Sequence, residues 1–247
     1  MNIPVLIEGD NLSKAWCKVF QHIIDNSGNE ITPLILTLTG FEEDKLINSE
    51  LNKDLARNKL DSIEIVSETI FPQALYKFNE NDRQKLFEIY LNNVLPRIKK
   101  IDPRNSSGTY FERLIAFGDA NKNQLDIIID SLKQDSKIKR RSKSQAAIFD
   151  PLKDHKNGVF QSFPCLQHVT FYKSESGGLI INSFYAMQYL YQRAYGNWLG
   201  LINLGKFVAQ EAGLELERFN CFVGVEKLDH LTKTQAKVLI GKMKLDN

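Results

Sequence analysis

The sequence predicts a single α/β domain over residues 1–247, of the α+β kind in which helices and strands mix. Three observations carry that reading. The chain has 247 residues, 43% apolar and 25% charged, enough for one sizeable core. Stretches with apolar residues at helical spacing alternate with short β-rich runs. Two of those runs flank a polar, Gly-bearing turn at 173–178, which reads as a hairpin.

Taken in order, residues 1–8 are a short apolar start suited to an edge strand. Asp10 and Asn11 offer a cap, and an amphipathic helix follows to Asp25 with Trp16, Val19, Phe20 and Ile23 on its buried side. Residues 34–38 are β-rich and read as a strand. Residues 42–60 are polar and read as helical or irregular. In 62–72 local periodicity does not settle strand against helix. Residues 79–99 carry Leu86, Phe87, Tyr90, Leu91 and Val94 at helical spacing, before Pro103 and the run Asn105-Ser106-Ser107-Gly108 break the chain. Residues 124–133 form a helix with Leu125, Ile128 and Leu132 toward the core. Lys137, Lys139, Arg140, Arg141 and Lys143 make a basic cluster, usually a solvated surface run. Residues 154–161 form a loop leading to the hairpin.

The balance of charge and cysteine bounds the function. A net charge of +2 calls for neither nucleic acid nor an anionic membrane as partner. Cys17, Cys165 and Cys221 are too widely spaced for a zinc or disulfide framework, and the four histidines show no metal spacing. A reducing, cytoplasmic home is expected. No signal peptide opens the sequence and no apolar run reaches spanning length.

Cys165 is the one residue whose surroundings suggest chemistry. Taken alone it reads as a small buried hydrophobe. Its context is Ser162-Phe163-Pro164-Cys165-Leu166-Gln167-His168, in which proline presets the backbone just before the thiol. The following strand places the sulfur at a strand mouth, where a side chain can face a cleft.

That stretch resembles the thymidylate synthase family, in particular its shorter archaeal-type members. The motifs are Pro164-Cys165-Leu166, Phe171, the hairpin, Phe184-Tyr185, then Asn197-Trp198-Leu199-Gly200-Leu201 opening a long helix. The likeness runs on through Gly205–Leu214; it is strong over the last half and weak over the first. The resemblance implies a large twisted mixed β-sheet with helices packed on one side and a homodimer formed through the sheets. It implies Cys165 as nucleophile on a pyrimidine nucleotide or nucleoside, with 5,10-methylenetetrahydrofolate as one-carbon donor. It implies Glu68 as proton relay, with Glu64 the alternative, and Tyr110, from Tyr110-Phe111-Glu112-Arg113-Leu114, as support. Asn197 would read the base edge, and Gln167 joins the substrate-binding set. Arg140, Arg141 and Lys143 stand beside the position of the family's phosphate-binding arginine pair, which reaches the neighbouring subunit's nucleotide.

The pattern also breaks. The resemblance expects Arg-Ser-x-Asp at the end of the second hairpin strand, but Ala186, Met187 and Tyr189 stand there. Losing one charge-assisted contact costs roughly 1.5–3 kcal/mol, or about one to two decades in nucleotide affinity, unless Lys143, Arg141 or Arg193 compensates. Of Gly-Asp-x-His-x-Tyr only Gly224 survives, with Lys227 and Asp229 replacing the ring and the phenol. The expectation is therefore a one-carbon transferase with an altered pyrimidine substrate. The alternatives are a true thymidylate synthase with shifted phosphate ligands and a catalytically silent sensor or interaction subunit.

Overall fold

The computed structural model describes residues 3–133, 141–158 and 163–243. Strand β1, Val5–Asn11, leads directly into helix α1, Leu12–Asp25. Asn11 caps that helix by accepting the Lys14 N–H at 3.0 Å. Trp16, Val19, Phe20 and Ile23 are each no more than 2% exposed, as the helical spacing requires. Strands β2, Glu30–Ile31, and β3, Leu34–Glu42, follow. Helices α2, Lys45–Arg57, α3, Ile63–Glu68, and α4, Gln73–Phe78, come next. The segment that periodicity left open is thus helical: the Ser62 hydroxyl accepts the Ile65 N–H and starts α3.

The helical run read over 79–99 is interrupted. Helix α5, Arg83–Ile89, passes through a π turn, Tyr90–Val94, into α6, Leu95–Ile101. The Tyr90 hydroxyl meets the Thr109 hydroxyl at 2.8 Å. Thr109 forms a reciprocal capping box with Glu112 at the start of α7, Tyr110–Ile115. Helix α8, Gln124–Lys133, follows. The Gln124 amide donates to the carbonyls of Arg113 and Ala147 and accepts the Ala147 N–H, clamping α7 to strand β4, Gln145–Ala147. After α9, Pro151–Asp154, the expected hairpin appears as β5, Leu166–Lys173, and β6, Leu179–Tyr189. A second π turn, Leu190–Ala194, joins β6 to α10, Tyr195–Ala212. Strand β7, Leu216–Lys227, and helix α11, Lys233–Met243, complete the described elements.

The strands form one seven-stranded mixed sheet in the order β1-β3-β7-β6-β5-β4, with β2 beside β7. The β1–β3 and β6–β7 pairs are parallel, and the other pairs are antiparallel. Leu34, Leu36, Leu38, Val169, Phe171, Phe219 and Val223 are fully buried in the core with α1 and α10. On the opposite face Phe184 and Phe222 stack at 5.5 Å and stay 40% and 39% exposed. No described helix is long and apolar enough to cross a membrane.

Two glycines let α10 approach α3. A Cβ on Gly196 would stand 2.6 Å from the Val66 Cβ, and one on Gly200 2.7 Å from the Ser67 carbonyl oxygen. Gly196→Ala should therefore lower stability by about 1–3 kcal/mol through overpacking, despite alanine's better helix propensity. Gly241 of α11 has no atom within 4 Å of such a Cβ. Gly241→Ala should instead gain about 0.5–1 kcal/mol. Thermal melts of the two variants check both signs.

Candidate active site

The ends of β5, β6 and β7 converge beneath Cys165. The Ala186 N–H donates to the Cys165 carbonyl at 3.1 Å, so the residue is fastened to the end of β6 just ahead of β5. A cis Phe163–Pro164 bond precedes it. The Gln167 amide donates to the Pro164 carbonyl at 2.7 Å, and the Gln167 carbonyl accepts the Ile148 and Phe149 N–H groups. Gln167 is thus built into the turn that presents the thiol.

Cys165 is exposed to solvent, whereas Cys221 is buried and Cys17 intermediate. The surrounding protein nevertheless desolvates the thiolate and raises the Cys165 thiol, with the Arg193 guanidinium opposing the rise. Exposure together with desolvation describes a side chain in an open recess. Tyr110 enters that recess from α7. Its ring packs against Phe163 at 5.2 Å, and burial with the neighbouring Cys165 pushes its phenol well up. The Tyr110 hydroxyl also lies by the backbone N–H groups of Cys165 and Leu166, and Arg193 acts on it. Cys165 and Tyr110, both candidate catalytic residues from the sequence, are therefore together.

Arg193 comes from the π turn that follows β6. Its Nη1 sits 3.1 Å from Asp61 Oδ2, just ahead of α3. Sequence reasoning weighed it only as a substitute phosphate ligand. The available signal was position, because the turn continues the strand that holds Cys165. Trp16 fixes the turn from α1, donating its indole N–H to the Leu190 carbonyl at 3.1 Å.

Asn197 lies in the first turn of α10 and is 6% exposed. No hydrogen bond is made by its amide among the described residues, although buried amides are ordinarily paired. It keeps both donor and acceptor for a ligand, as base reading requires.

Glu68 is placed differently. Its carboxylate accepts the Ala74 N–H at 3.0 Å at the start of α4, and burial raises its carboxyl. Ser67 packs on Gly200, so Glu68 lies about one helical turn along from Asn197. No described contact joins it to Cys165, Tyr110 or Arg193. Glu64 is exposed and accepts from the Asn52 amide.

The basic cluster lies elsewhere on the protomer. Arg141 and Lys143 are exposed, and the Arg141 guanidinium sits 6.0 Å from the centre of the Tyr172 ring. Tyr172 is seven residues beyond Cys165, roughly 23 Å along β5. Arg140 lies outside the described residues. Among the described residues no group of His, Cys, Asp and Glu is arranged to hold a metal ion.

Sequence reasoning missed a set of buried polar groups beside the recess. Gln188 and Glu226 face each other across the parallel β6–β7 pair and are 2% and 0% exposed. Both atoms of the Gln188 amide, both Glu226 oxygens, the Tyr185 hydroxyl and Asp229 Oδ2 find no partner among the described residues. Burial, with Asp229 nearby, raises the Glu226 carboxyl well above the usual range, which favours its neutral acid. The Tyr185 hydroxyl is within electrostatic reach of Glu226 on one side and of Cys165 and Tyr110 on the other. No local pattern announces this, because the alternation of buried positions changes phase between Tyr185 and Gln188 in β6 and between Val223 and Glu226 in β7.

Two measurements probe these environments. An acid whose folded pKa lies above its unfolded value destabilises the fold increasingly as pH rises past the unfolded value. Glu226→Gln should thus melt above wild type at pH 8, with the gap closing toward pH 5; a gap that widens on acidification refutes a neutral Glu226. Because Arg193 favours the thiolate, Arg193→Gln should slow iodoacetamide alkylation of Cys165 at pH 7.5 several-fold. Compared with models of known protein families and with curated proteins, the chain matches none.

Proposed function

We propose that the protein is a one-carbon transferase of the thymidylate synthase type, acting on a pyrimidine nucleotide or modified nucleoside that differs from dUMP. The observation that carries this reading is the meeting of an exposed Cys165 with Tyr110 and Arg193, while the buried Asn197 amide on the adjoining α10 stays unpartnered. The Cys165 sulfur bonds to C6 of the ring, and the C5=C6 electron pair moves to C5. C5 then bonds to the one-carbon unit, and the C5 proton leaves as the bond between that unit and its donor nitrogen breaks. Addition of hydride (for a methyl product) or water (for a hydroxymethyl product) to the unit expels the sulfur and restores the double bond; the hydride would come from the tetrahydrofolate that the donor leaves behind. The donor that the resemblance implies, 5,10-methylenetetrahydrofolate, supplies that unit when bound. The half-buried Tyr110–Phe163 ring pair offers a flat pterin a surface to stack on.

Each remaining role follows from placement. Asn197 orients the ring through its amide. Arg193 favours the thiolate, and Tyr110 supports the Cys165 turn. Glu68, with its raised carboxyl, is the proton relay the resemblance assigns. The raised Cys165 thiol favours a second reading, a catalytically silent homologue that binds without turnover.

The pairing of Phe184 with Phe222 on the open sheet face suits a second copy of the chain. A homodimer through that face is the arrangement the resemblance implies.

Release of tritium from a C5-labelled pyrimidine, in the presence of the folate, tests the enzyme reading. Cys165→Ala should abolish release and retain binding. Binding without release by the wild type would favour the silent homologue. Phe184→Asp should shift the sedimentation coefficient to that of a monomer.

A further inference from the structure

Two independent features of the Cys165 recess describe what it accepts. The first is that its positive charges are already matched. Arg193, the one cation acting on the thiol among the described residues, is paired with Asp61 at 3.1 Å. Arg113, whose guanidinium lies 5.5 Å from the Phe163 ring centre, donates to Asp154 at 2.8 Å and has Asp150 Oδ2 at 3.8 Å. Ala186, whose N–H holds the Cys165 carbonyl at the end of β6, carries only a methyl group. Arg141 and Lys143 stand at the far end of β5.

The second feature is a set of hydrogen-bonding groups without partners among the described residues. The Tyr185 hydroxyl, the Gln188 amide and the Glu226 carboxyl find none, nor do Arg113 Nη1 and Asp229 Oδ2, and the Asn197 amide makes no hydrogen bond. Amides and a carboxylic acid each set a donor beside an acceptor, which matches the edge of a cyclic lactam or ureide. A phosphate needs guanidinium forks or ammonium groups that are free to face it. A phosphate brought to Arg193 would lie against the Asp61 carboxylate.

We propose that the recess takes an uncharged hydrogen-bonding heterocycle, a nucleoside or free base, and rejects its phosphate ester, with Asp61 as the residue that sets the discrimination. This deepens the proposed function and rests on its placement of a pyrimidine over Cys165. Asp61 acts by holding Arg193 in an ion pair, so a phosphate meets a compensated cation rather than a free one.

Isothermal titration of the full chain with 2′-deoxyuridine and with dUMP tests it. The nucleoside should bind at least tenfold tighter. Binding of dUMP as tightly as the nucleoside, or more so, overturns the proposal and leaves the pyrimidine reading standing. The combined substitutions Arg141→Ala and Lys143→Ala then show whether a second copy supplies the phosphate ligands. Binding of neither compound, with Cys165 alkylated at the same rate in their presence, overturns both. Asp61→Asn, its fold checked by melting, should move the dUMP-to-nucleoside affinity ratio about tenfold toward dUMP. An unchanged ratio overturns the assignment to Asp61.

Discussion

The parallel pairing of β6 with β7 is the constraint on which the rest depends. It sits at the middle of the sheet, with antiparallel β5 on one side and antiparallel β3 on the other. Parallel strands need a crossover, and here α10 supplies it and packs on the covered face. Because β6 enters α10 through a single π turn, the strand end, Arg193 and Asn197 are positioned as one unit. The Ala186–Cys165 hydrogen bond then attaches the thiol to that unit.

The same geometry explains the electrostatics. Charged groups beside the recess come in opposed pairs, Arg193 with Asp61 and Arg113 with Asp154. Burial without a cation favours the neutral acid at Glu226, since an ionised carboxylate is costly in a poorly polarisable interior. The buried Tyr185 phenol is raised by its burial and by groups of both sets, Tyr110 and Cys165 as well as Glu226. A thiol in such a place is pulled two ways: desolvation favours its proton and Arg193 favours its loss. The reactivity of Cys165 therefore turns on how firmly Asp61 engages that guanidinium.

Helix α1 and the β5–β6 hairpin were legible because each carries a complete local signal. The first has a cap and an amphipathic face, and the second has two β-rich runs around a glycine turn. Strand β7 was not legible as a strand, since its bulge and its mixed polar face hide the alternation. The π turns were not legible either, because an extra residue per turn leaves the apolar spacing almost unchanged. Of the site, Cys165 and Tyr110 were each named from family-like motifs, and the fold brings them together. Glu68 was read without its tie to the start of α4, a contact that only tertiary packing creates.

By itself the sequence determined where α1, α8 and the β5–β6 hairpin lie, which face α1 buries, and that Cys165 stands at a strand mouth. Those are local properties, set by side-chain periodicity and caps within a few residues. Tertiary structure alone decided that Asp61 neutralises Arg193, that Gln188 meets Glu226, and that Arg141 lies far from the thiol. Each of these joins, or separates, residues by the register of strands and the crossing of helices. Register and crossing are fixed by the packing of the whole core, which no short stretch of chain encodes.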